Sequence, residues 1–123
     1  METVAQYFGS FGTSKSEALA TLMPAVDAIL EAHQKGDYDA FLAQITPDLA
    51  DKISRQGFEN AHKEASAELG QLVGKSFLGS LKDKGNPRLL FVATYAGCPS
   101  EVLISITFAN GSQPPKASWV WVE

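Results

Sequence analysis

Two histidines, His33 and His62, and the tyrosine Tyr95 are the side chains here best suited to proton transfer near neutral pH. His33 sits at the end of one apolar stripe, and His62 lies four positions after Phe58 beside another. Two helices facing one sheet would bring these rings near each other or near Tyr95, as candidate acids or bases. The plainer reading is two half-buried helix residues with satisfied ring nitrogens, so no catalytic role follows from sequence alone. Carboxylates do little to complete such a site: between Asp83 and Glu123 the only acid is Glu101, at a strand opening. The single cysteine, Cys98, reads as a turn or strand-end residue, nothing near it has metal-ligand spacing, and the chain carries no cofactor signature.

The stretch "LGQLVGKSFLG" contains Gly74-Lys75-Ser76, the ending of a phosphate-binding loop. The full motif needs a glycine where Leu69 stands, and it must follow a strand and open a helix. Here the order is reversed, so the segment reads as a hinge from helix into sheet.

A chain of 123 residues suits one domain, 1–123, able to bury about two thirds of the surface its unfolded form exposes. A net charge of −4 gives no electrostatic reason to bind nucleic acid or an anionic membrane. Lys75, Lys82, Lys84 and Arg88 form the densest basic group, read as a solvated turn. No apolar run approaches the roughly 18 residues of a spanning helix, and the start, with an acid at position 2 and no apolar block, lacks a secretory pattern. A cytoplasmic product with no membrane and no nucleic-acid partner is the expectation.

These side chains must be positioned by helices first and strands second. Residues 1–13 read as a flexible lead or a short extra helix. "SKSE" at 14–17 is a capping box, and Leu19, Leu22, Met23, Val26, Ile29, Leu30 and His33 then recur at helical spacing up to Gly36, with Pro24 expected to kink or restart the helix. Asp37 caps "YDAFLAQI", Thr46-Pro47 opens "PDLADKIS", and Ser54 precedes a helix whose Phe58, Ala61, His62, Ala65 and Leu69 share a face before Gly70. From 75 to 123 the period becomes two: "KSFLGSLKD", "RLLFVATYA", "EVLISITFA" and "ASWVWVE" are four strands joined by short turns, hence antiparallel. The fold class is α+β, with N-terminal helices on a curved antiparallel four-stranded sheet.

Alternation divides the strands into faces. Leu89, Phe91, Ala93 and Tyr95, with Val102, Ile104, Ile106 and Phe108, form an apolar set that should meet the helices. The opposite set mixes Leu and Val with Thr94, Ser105 and Thr107. Trp119 and Trp121 alternate with Val120 and Val122, so both faces of the last strand are apolar. The tryptophans are therefore core residues, pocket residues or an oligomer contact, and an isologous dimer through the uncovered face is the preferred reading.

The order of a long helix, the break "KGDYDAF", a helix ending "AELGQLVGKSF", and strands carrying "ITFANG" and "WVWV" resembles small bacterial members of the nuclear transport factor two-like (cystatin-like) superfamily, over roughly residues 20–122. The resemblance implies three helices in the concave face of a curved sheet and a cone-shaped apolar pocket, which Tyr38, Phe41, Phe58, Phe91, Tyr95 and Phe108 would line. It implies no single activity. Three functions stay open: a dimeric non-catalytic domain binding a small apolar ligand or a protein partner, a small isomerase, dehydratase or hydrolase using His33, His62 or Tyr95, and an accessory subunit of a larger complex.

Overall fold

A computed structural model describes residues 7–122. The first six residues, on which the reading of the chain's start rests, and Glu123 of the last expected strand lie outside the described residues.

Residues 7–13 are anchored. A short 3-10 turn, Gly9–Phe11, buries Phe11 with Phe8 just before it, and the Ser10 amide donates to Asn110 Oδ1 at 2.7 Å. Helix α1 spans Lys15–Lys35; Ser14 Oγ accepts from the Glu17 amide at 3.1 Å. The reciprocal half of the capping box is not formed: Glu17 Oε2 accepts instead from the Thr13 hydroxyl at 3.4 Å. α1 runs unbroken through Pro24, whose missing amide falls on an exposed position, so the helix does not restart there. Gly36 ends it in the left-handed conformation, φ 69°.

Three more helices follow, the first two started by the expected side chains and the third by the joint residue Ser54. Asp37 caps α2 (Tyr38–Leu42), Thr46 caps α3 (Pro47–Lys52), and Ser54 caps α4 (Arg55–Leu69). The chain then enters a meander of β1 (Leu72–Asp83), β2 (Asn86–Tyr95), β3 (Val102–Phe108) and β4 (Ala117–Val122), antiparallel throughout and ordered β1-β2-β3-β4. β1 begins before the expected residue 75 because a register shift between Leu72 and Gly74 hides Val73 from the alternation; a second shift falls between Phe77 and Gly79. Gly74, Lys75 and Ser76 are strand residues, so no phosphate-binding loop exists.

The helix-covered face of the sheet carries the core. Leu22, Val26 and Ile29 of α1 join Leu89, Ala93, Ile104, Ile106 and Phe108, all fully buried. Each large side chain so buried contributes about 1.5–3 kcal/mol of transfer free energy. The basic group around the β1–β2 hairpin is not simply a solvated turn: Lys75 pairs with Asp27 of α1 at 2.7 Å, Lys82 lies over the Tyr7 ring, and Arg88 pairs with Asp83 at 2.7 Å. Among the described residues, no helix is long and apolar enough to cross a membrane.

Candidate functional site

α4 carries an apolar stripe of small residues. Only Phe58 is fully buried; Ala61 is exposed and Ala65 half-buried, so the helix has little with which to grip the sheet. Across from it, Val120 and Val122 of β4 pair with Ile106 and Ile104 and therefore point to the helix side. Between these two walls lies a cleft of about 650 Å³, within the range of small-ligand sites. Phe41 and Phe58, with ring centroids 4.9 Å apart, and His33, edge-on to Phe58, form its aromatic end. Lys52, Glu64 and Glu68 supply the charges in its lining.

His33, His62 and Tyr95 do come together. With Gln34, Ala65, Ser66 and Gly70 they line a second cavity of about 10 Å³, the size of one water and polar enough to hold it. His62 Nδ1 lies 2.9 Å from the His33 carbonyl oxygen. A carbonyl only accepts, so Nδ1 carries the proton and, in the neutral ring, Nε2 is an acceptor. Gly36 permits this approach: a β-carbon there would stand 2.7 Å from His62 Cδ2. Gln34 fixes the surroundings by donating to the Gly70 carbonyl at 3.3 Å and accepting from the Leu72 amide at 2.8 Å.

Burial, and then the neighbouring His62, hold the His33 pKa below the usual histidine value, so its ring is neutral at pH 7. Burial likewise raises the Tyr95 phenol. His33 borders both the cleft and the water-sized cavity, which makes it the described imidazole placed to exchange a proton with a molecule in the cleft.

The expected aromatic pocket is only partly realised. Phe41 and Phe58 line the cleft, while Tyr38 packs on Phe58 and donates its hydroxyl to the Ile53 carbonyl at 2.6 Å. Phe91 and Phe108 do not line it: they are core residues, covered by Phe77 and Phe11 at 5.7 and 6.2 Å between centroids. Tyr95 belongs to the small cavity. The space expected to form a cone-shaped pocket is filled by core side chains, and the open cleft lies instead at the edge between α4 and β4. Val120, Val122, Lys52, Glu64 and Glu68 were not among the expected pocket residues; the small Ala61 and Ala65 facing a valine pair were the available signal.

Trp119 and Trp121 lie on the other face of the sheet, their rings parallel within 9° and 5.9 Å apart. They cross from Thr107 and Ser105, which are buried although no described helix covers them. With Leu81, Arg88, Leu90 and Leu103 the tryptophans border a shallow groove of about 520 Å³. Trp119, Trp121 and Leu81 remain 43%, 49% and 49% exposed. Arg88 is held there by bonds from Nε to the Thr107 hydroxyl at 2.9 Å and from its other end to Asp83.

Compared with family models, with curated proteins and with solved structures, this chain matches none.

Proposed function

We propose that this protein is a non-catalytic binding domain, cytoplasmic and dimeric, which pairs through the bare face of its sheet and takes an apolar ligand or a protein segment in the cleft between α4 and β4. The cleft carries the proposal. Its 650 Å³ are walled by Phe41, Phe58, Leu69, Val120 and Val122, side chains whose removal from water favours an apolar occupant. The dimer is supported by the stacked tryptophans and the exposed Leu81 and Leu103, an apolar area rimmed by the Arg88–Asp83 pair. Native mass spectrometry of the gently purified protein tests both parts. A dimer carrying extra mass is expected; a monomer unchanged by Trp119→Ser and Trp121→Ser would sink the pairing, and a ligand retained equally by Phe58→Ala would sink the cleft.

A second reading is a small acid–base enzyme. It is favoured by one observation, that neutral His33 touches the cleft while sharing a water-sized cavity with His62 and Tyr95. Turnover lost in His33→Gln with folding intact would move the protein to this class.

A further inference from the structure

The outer edge of β4 is already paired at its start. Ile45 forms a parallel bridge with Ala117: the Thr46 amide donates to the Ala117 carbonyl at 2.9 Å, and the Ala117 amide donates to the Gln44 carbonyl at 2.9 Å. The pairing stops because Thr46 caps α3 and Pro47 has no amide hydrogen to offer, so the chain turns away. β4 has six residues, and with only Ala117 so engaged five are left, an edge roughly 16 Å long at about 3.3 Å per residue. Among the described residues, the backbone hydrogen bonds across this edge are those of Ala117. The unfinished edge opens into the cleft, since Val120, Trp121 and Val122 line it with α4 opposite.

A compact apolar ligand would use the side-chain walls and leave the β4 amides and carbonyls to water. An extended chain would use both, adding edge hydrogen bonds while alternate side chains settle beside Val120 and Val122. We infer that the occupant of the cleft is an extended segment of a partner protein, which continues the pairing begun by residues 44–46 and adds to β4 as a fifth strand. The inference rests on the cleft being a binding site. The segment's inward side chains are apolar, to meet Phe41, Phe58 and the two valines. A basic side chain meets Glu64 and Glu68, which stand one turn apart on α4 and line the opposite wall.

The test pans the intact protein against a displayed library of short random peptides, with anilinonaphthalene sulfonate as a separate probe of the apolar cleft, localised by loss of its signal in a folded Val122→Glu variant. Enriched peptides should alternate apolar residues, carry Lys or Arg, and displace the dye. Methylating their backbone amides one at a time should weaken binding about tenfold at every second position and spare those between, because only alternate amides face the edge. Glu64→Lys with Glu68→Lys should weaken the same peptides. Dye held in the cleft with no peptide enriched, or peptides indifferent to the place of methylation, overturns the strand proposal and leaves the cleft a small-ligand site. Dye that binds only on dilution to monomer, with no peptide enriched, puts a second copy on this edge and equally overturns it. Neither dye nor peptide bound removes the cleft reading itself.

Discussion

α1 and α4 touch each other, yet they differ in what they bury. α1 carries seven buried residues along 21, whereas α4 carries one, Phe58, along 15. α1 meets the sheet with Leu22, Val26 and Ile29, side chains that fill the space between layers. α4 offers alanines at the corresponding places and stands off, so a cleft remains. The difference teaches that packing volume and open space are allotted to separate helices here. One is fastened by methylene volume, and the other keeps a gap beside the sheet.

Substitutions can break that division. Leu22→Ala, at a fully buried position of α1, should cost about 3–5 kcal/mol and shift the denaturant midpoint of the whole chain. Phe58→Ala should cost about 3 kcal/mol, the lower figure because the cleft lets the site collapse. Hydrogen exchange separates the two: Phe58→Ala should release α4 amides while those of α1 stay protected, and equal loss in both helices would contradict the division.

Acid sharpens the comparison at the point where the helices meet. The folded pKa of His33 is depressed below the unfolded value of 6.5, so the unfolded chain binds the extra proton first. Its contribution to stability is therefore present above about pH 6.5 and lost as pH falls through the folded value. Denaturation midpoints should drop below pH 6 more in the wild type than in His33→Gln; parallel profiles would count against it. The smallest effect is expected at the solvent face of α1, where Lys35 and Glu31 form an exposed pair and Lys35→Ala should leave the midpoint unchanged within error.

Much of this fold is legible from local chemistry. Ser14, Asp37 and Thr46 cap the helices they are expected to cap, and Ser54, read only as a joint, caps a fourth, since a side-chain oxygen beside free amides depends on neighbours in sequence. The meander is legible for the same reason, because short turns leave antiparallel pairing as the only return. What depends on distance between elements is not. The apolar stripe of α4 predicts a buried helix, but no pattern within 15 residues reports how far away the sheet stands. Phe91 and Phe108 read as pocket residues because aromatic character is the same in a filled core and in an open one. The three candidate proton carriers were found by type, and their meeting depends on Gly36 having no side chain in the way of His62.

The meander also orders events in time. The wall built by α4 is complete at Leu69, whereas the facing wall waits for Val120 and Val122, about 50 residues later. At roughly 5–20 residues per second, a ribosome leaves the first wall without its counterpart for some 2–10 s. During that interval β3, too, lacks the neighbour that will shield Ile104 and Ile106 from one side. The cleft, like the tryptophan groove on the other face, thus comes into being only with β4, and its two walls cannot face each other before that strand is made.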